Sequence, residues 1–171
     1  MTSSIHFLNE LYLDYFLKNK GQVKEHFKFL ENYLVDNKCT FKGLPMPTLL
    51  KPNFISEKQT ALLQSSVEMM SRALTKFIAL YLSDGRVREI MGFSEKEKEL
   101  FSIDPGYENP LVVSRLDAFL NGFDIKFLEF NCDSPAGIAY SDIQEEAFRE
   151  LFSRYPFLDH YNLQIHKHNR H

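Results

Sequence analysis

The chain has 171 residues, 44% of them hydrophobic, with a formal charge of -3 at pH 7 and a pI near 6.1. That length suffices for one well-buried domain, the charge leaves no basic footprint for nucleic acid or for an anionic membrane, and no stretch approaches the roughly 18 uninterrupted apolar residues of a membrane span. Met1-Thr2-Ser3-Ser4 lacks the basic start of a signal peptide, so a cytoplasmic location is expected, and Cys39 and Cys132 are too few and too far apart for a disulfide framework or a zinc site.

In chain order, Ile5, Leu8, Leu11, Tyr12, Tyr15 and Phe16 recur at steps of three and four, which predicts an amphipathic helix over 5–17 capped by Ser3 or Ser4. Val23, Phe27, Leu30 and Leu34 predict a second helix over 22–35, with Gly21 as the break and a helical hairpin as the result. Thr40 to Asn53 holds three prolines and a glycine and is expected to be a loop or extended segment. Ser56 and Gln59 form a capping-box pattern ahead of the longest predicted helix, whose stripe runs through Ala61, Leu62, Val67, Met70, Leu74, Phe77, Ile78 and Tyr81 and ends near Asp84-Gly85. Met69 and Met70 are expected to fill the core. Arg86–Met91 and Glu95–Phe101 predict two short helices separated by Gly92, the charges from Glu95 to Glu99 forming a solvated face, and Asp104-Pro105-Gly106 predicts a turn.

Two strands around Asn121-Gly122 follow, carrying Arg115-x-Asp117 on the first and Glu129-x-Asn131 on the second. Alternation puts Arg115 and Asp117 on one face, with Leu116, Ala118 and Leu120 on the other, and likewise separates Glu129 and Asn131 from Leu128 and Phe130. Two carboxylates, an amide oxygen and a guanidinium on one face are what a magnesium–nucleotide site needs, because hard cations take oxygen ligands and arginine pairs with phosphate. Register decides the matter. A two-residue Asn121-Gly122 turn pairs Asp117 with Lys126 and turns Glu129 away; Asp117 meets Glu129 only if the hairpin is centred on Phe123, through an odd loop or a bulge that Gly122 could supply. The alternative is a surface hairpin with a wet charged face.

Beyond it, Ile143, Ala147, Phe148 and Leu151 predict a helix over 141–155, with Asp142 near its positive end. Cys132 is expected to be a small side chain on the buried face. The tail 156–171 carries His160, His166, His168 and His171 without metal-site spacing and reads as a frayed or partner-dependent terminus. The fold class expected is α+β: a helix-rich domain over 1–155 with a β-hairpin or small antiparallel sheet, made of a helical segment 1–110, a hairpin 111–137 and a helix 141–155.

Arg115-x-Asp117, a hairpin, then Glu129-x-Asn131 and Cys132-Asp133-Ser134-Pro135-Ala136-Gly137 resembles the magnesium-binding signature of ATP-grasp ligases. The resemblance is closest to the circularly permuted branch with glutathionylspermidine synthase-like proteins, in which this signature comes early. Phe41-Lys42-Gly43-Leu44-Pro45-Met46-Pro47 and Leu49-Leu50-Lys51-Pro52 look loosely like the region ahead of it. The resemblance implies Asp117, Glu129 and Asn131 as Mg²⁺ ligands, Arg115 as the contact to the transferred phosphate, and Ser134 as a contact to the acceptor substrate. It also implies an incomplete ATP-grasp-like fold and an ATP-dependent ligase joining a carboxylate to an amine through an acyl phosphate.

In permuted members the lysine-bearing strands and glycine-rich loop for ATP follow the signature. The chain reaches His171 without them, and without G-x-x-x-x-G-K-[ST] or G-x-G-x-x-G. This leads to the expectation of a part of a longer ligase, inactive alone and unable to bind ATP alone, completed by a C-terminal ATP-grasp part or a partner chain. The alternative is a non-catalytic binding module derived from such a protein, for which 16 Phe and 8 Tyr would supply interfacial area.

Overall fold

The structure is a computed structural model that describes residues 2–164, the side chains from Ile5 onward. The protein is α+β: six α-helices and two antiparallel two-stranded ribbons among the described residues. These divide into two compact units, residues 2–56 with 136–164, and residues 57–135, so the expected helical segment 1–110 is shared between them. No described helix is long and apolar enough to cross a membrane. Of the tail histidines only His160 lies within the described residues.

The first unit holds α1 (Thr2–Lys18), α2 (Lys20–Asp36), the ribbon of β1 (Thr40–Phe41) and β2 (Leu44–Pro45), α6 (Ile138–Phe152) and a 3-10 turn, Pro156–Leu158. Helix α1 starts ahead of Ser3 and Ser4, so neither caps it. The break after α1 falls at Asn19 and Gly21 lies inside α2. Asn19 stops the helix by turning its own amide back onto the Tyr15 carbonyl at 2.8 Å. Leu8 and Tyr12 from α1 and Leu30 from α2 meet Ala147, Phe148 and Leu151 from α6, with Tyr155 and Leu158 beyond its end. The helical hairpin therefore buries its stripe against a helix more than a hundred residues away. Tyr12 donates to the Leu50 carbonyl at 2.9 Å and Gln144 to Thr48 at 2.6 Å, tying the proline-bearing 46–53 segment across this core. Helix α6 begins three residues earlier than its apolar pattern, at the left-handed Gly137 (φ 116°).

The second unit comprises α3 (Glu57–Ser83), α4 (Gly85–Met91), α5 (Glu95–Phe101), an irregular segment 102–114, and the ribbon of β3 (Arg115–Asn121) and β4 (Asp124–Asn131). Local signals explain its short helices. Asp84 accepts from the Arg86 amide at 2.9 Å, Gly92 closes α4 at φ 64°, and Ser94 and Glu97 form a reciprocal capping box. Arg88 reaches back to the Tyr81 and Leu82 carbonyls at 3.0 and 2.8 Å, satisfying the end of α3. Asp104 accepts from the Gly106 amide in the predicted turn.

Tyr81 is the one buried residue of α3 and packs edge-on to Phe93 and Phe101. The expectation for Met69 is corrected here: Met69 is 63% exposed, with Val67 and Phe77 exposed too, whereas Met70 is half-buried. Two seven-residue helices and a two-stranded ribbon offer too little surface to cover a 27-residue helix.

Candidate functional site

The ribbon turns through Gly122-Phe123, with Asn121 paired to Asp124, one residue later than the Asn121-Gly122 turn of the sequence reading. Gly122 takes φ 60° while Phe123 does not enter the positive-φ region, the pattern of a type II′ turn with glycine at its first central position. The Gly122 carbonyl accepts from the Gln59 side chain at 2.8 Å, so a residue of the first turn of α3 anchors the hairpin turn.

From this turn the rungs run Leu120–Ile125, Phe119–Lys126 and Ala118–Phe127, and then jump to Asp117–Glu129, Leu116–Phe130 and Arg115–Asn131. Leu128 is the extra residue, a β-bulge whose side chain is 63% exposed. The bulge lies in the middle of β4, not at Gly122, and it corrects the expectation that Leu128 shares the apolar face. Its effect is a change of parity. Ile125 and Phe127 are odd-numbered and Phe130 even-numbered, yet all three join Leu116, Ala118 and Leu120 on one side, and Glu129 is brought to the side of Asp117. Had the ladder continued unbroken, Glu129 would oppose Leu116 among the apolar residues.

The polar face thus carries Asp117 opposite Glu129 and, two residues along, Arg115 opposite Asn131. Arg115 forks onto Asp117 through Nε to Oδ1 at 2.8 Å and Nη2 to Oδ2 at 3.2 Å. The Asn131 amide donates to Glu129 Oε1 at 3.0 Å. The Arg115 hydrogen bonds and charge hold the Asp117 carboxyl below the usual carboxylate range, and Asp117 in return raises Arg115. The face is partly open to solvent, with Arg115 and Asp117 side chains 42% and 35% exposed.

Ser134 lies three residues past Asn131, exposed, in the left-handed region at φ 46°, with its hydroxyl 3.4 Å from Asp133 Oδ1. Cys132 is exposed, which corrects its expected place on the buried face: β4 ends at Asn131, and with it the alternation that would have turned Cys132 inward. Cys39 is the buried cysteine, its Sγ 3.9 Å from the Tyr140 carbonyl oxygen.

Among the described residues no group of three or more His, Cys, Asp or Glu side chains is arranged to hold a metal. The ribbon offers two carboxylates and an amide, the set that suits a cation keeping several waters and phosphate oxygens in its shell. The sequence reading missed Leu128. Its signal is the spacing of Ile125, Phe127 and Phe130, a two-residue step followed by a three-residue step that no unbroken strand can bury.

Deleting Leu128 is expected to leave Asp117 opposite Glu129, because the turn through Gly122-Phe123 would then pair the two strands without a bulge. Cross-strand NOEs between Asp117 and Glu129 check this; their loss would mean that the bulge sets the register. Set against known proteins, the chain matches no family model, no curated protein and no solved structure.

Proposed function

We propose that the β3–β4 ribbon is the magnesium- and phosphate-binding element of an ATP-dependent carboxylate–amine ligase of the ATP-grasp type, akin to the circularly permuted, glutathionylspermidine synthase-like branch. One observation carries the reading: Asp117 stands directly across from Glu129, and Arg115 from Asn131, on one face of a bulged ribbon. In this reading Asp117, Glu129 and the Asn131 side-chain oxygen hold the cation. The Asn131 amide, which now donates to Glu129, would turn over to present that oxygen.

Arg115 has a second state available. Its fork on Asp117 has the geometry it would offer to a phosphate, so an incoming phosphate can take the guanidinium and release Asp117 to the metal. Bound magnesium supplies neutralisation of phosphate charge during transfer to a carboxylate. Ser134 is assigned a contact to the acceptor substrate. The sequence has no glycine-rich phosphate loop, so the proposal gives this ribbon the metal and phosphate end alone. ATP is expected to need a further ATP-grasp part or a partner chain, and the reading goes with a cytoplasmic location.

The test is thermal melting. Magnesium or manganese at millimolar concentration is expected to raise Tm by about 3 °C, and more when tripolyphosphate gives Arg115 its alternative partner. Asp117→Asn is expected to abolish both increments; a wild-type Tm that ignores the ions refutes the metal site.

A second reading, a non-catalytic interaction module, is favoured by the exposed Phe119, Phe123 and Leu128 on the same ribbon. It predicts that Phe119→Ser and Phe123→Ser abolish binding of a partner chain while divalent ions change nothing.

A further inference from the structure

The ribbon carries a turn signal that its observed register does not use. Asn-Gly is the strongest short-range signal for a type I′ turn, yet the bend runs through Gly122-Phe123 and Asn121 stands in β3. A turn centred on Asn121-Gly122 sets Phe123 opposite Leu120 in place of Ile125, which slides β4 past β3 by two residues, about 7 Å. An even slide keeps Ile125, Lys126 and Phe127 on their present faces. The usual barrier to a register error, the exchange of apolar and polar faces, therefore does not arise over that part of the ribbon.

The slid register has gains and losses of its own. Leu128 falls into an ordinary rung opposite Arg115, which removes the bulge. Phe123, 52% exposed at the bend, comes to the apolar side opposite Leu120. Asp117 exchanges a like charge, Glu129, for Lys126, whose present ion-pair partner is Asp124 at 3.8 Å. Of the two central residues of the new turn, Gly122 is already at φ 60°, and asparagine enters the left-handed region more readily than other non-glycine residues. Against these, Phe130 leaves Leu116 and Glu129 turns to the apolar side, losses that fit the bulged register being the one observed.

We propose that the β3–β4 ribbon is a two-register switch that regulates its own polar face. The bulged register assembles the face. The slid register dismantles it, turning Glu129 and Asn131 away from Asp117 and setting Arg115 against Leu128. A cation bridging Asp117 and Glu129 removes the repulsion that favours the slide and binds only where the two meet, so cation with phosphate holds the bulged register. The two registers follow from the turn signal and the ladder; their control by ligand rests on the ligase reading.

A disulfide trap reads the slid register. Phe119 and Asp124, both exposed, are diagonal in the observed ladder, where they pair with Lys126 and Asn121. In the slid ladder they face each other as a non-hydrogen-bonded pair, at the separation a disulfide needs. The full chain carrying Phe119→Cys, Asp124→Cys and Cys132→Ser is treated with diamide, and the loss of two N-ethylmaleimide adducts is followed by mass spectrometry. Cys39 is buried and stays out of the reaction. The cross-link is expected to form without ions, and to form about fivefold more slowly with saturating Mg²⁺ and tripolyphosphate. Adding Asn121→Val, whose β-branched side chain suits a strand and resists the left-handed region, is expected to slow it about fivefold with no ion present.

Absence of the cross-link overturns the switch. So does a cross-link that Asn121→Val leaves unchanged, because fraying of the bend then brings the thiols together. The Tm of the wild type with the same ions reports on the ligase reading separately. A Tm that rises while the cross-linking rate ignores the ions overturns the ligand control. A cross-link slowed by Asn121→Val, with neither rate nor Tm responding to ions, refutes the ligase reading and the ligand control with it, and supports the two registers.

Discussion

Replacing Leu151 with alanine is expected to cost about 2–5 kcal/mol of stability. Leu151 is fully buried, at the centre of a cluster contributed by α1, α2 and α6. Burying a leucine contributes about 1.5–3 kcal/mol, and the cavity left by alanine adds to the loss because the fully buried Tyr12 and Tyr155 of the same cluster are rigid rings with little room to collapse into the space. Urea denaturation followed by far-UV circular dichroism measures the change. A loss under about 1 kcal/mol would mean that α6 does not close this core. Leu128→Ala, on the exposed bulge, is the contrast and should lie within about 0.5 kcal/mol of wild type.

Tyr155→Phe is expected to cost about 1–3 kcal/mol and to change how the protein responds to acid. The Tyr155 hydroxyl and His26 Nδ1 are 2.9 Å apart in the core, with His26 only 4% exposed. Burial raises the Tyr155 phenol, so it keeps its proton. A protonated phenol can donate to Nδ1, a bond that goes with the neutral imidazole carrying its proton on Nε2. Around the ring stand Phe16 and Tyr155 edge-on, with the Arg154 and Glu25 charges in range. Desolvation, then the Arg154 charge, lower the His26 pKa from its ordinary 6.5, while Glu25 opposes them.

The sign follows. The unfolded chain takes up a proton as pH falls through 6.5 while folded His26 does not, so this contribution to stability is complete above 6.5 and is lost as pH falls towards the lowered folded value. Urea midpoints at about pH 7.5 and about pH 5.5 measure it. The wild type should lose stability across that interval, and His26→Gln, which has nothing to titrate there, should lose less. Equal slopes in the two proteins would remove His26 as the source.

Much of the local structure was legible in the sequence because short-range physics writes it. The Gly92 break and the Asp104-Pro105-Gly106 turn each depend on backbone groups within a few residues, and so does the Ser94–Glu97 capping box, which the sequence reading did not name. The Asn19 stop was obscured by Gly21, since a glycine breaks a helix only where its freedom is used, and here it is carried inside α2. The four polar residues of the ribbon were legible as types and spacings. Their meeting was not, because alternation alone places Glu129 on either face and the choice rests on one unpaired residue.

The sequence by itself determined where the helices run to within a few residues, the Asp104-Pro105-Gly106 turn, and that Arg115, Asp117, Glu129 and Asn131 belong to one hairpin. Tertiary structure decided that α6 returns to pack on α1 and α2, that Tyr155 buries His26 from 129 positions away, and that of the α3 stripe only Tyr81 is fully buried. It also decided the register. A chain's periodicity records which residues avoid water, but the partner that shields them is fixed by the balance of loop entropy and contacts over the whole chain. At Leu128 that balance exposes one leucine so that Phe127 and Phe130 share an apolar side and Asp117 faces Glu129.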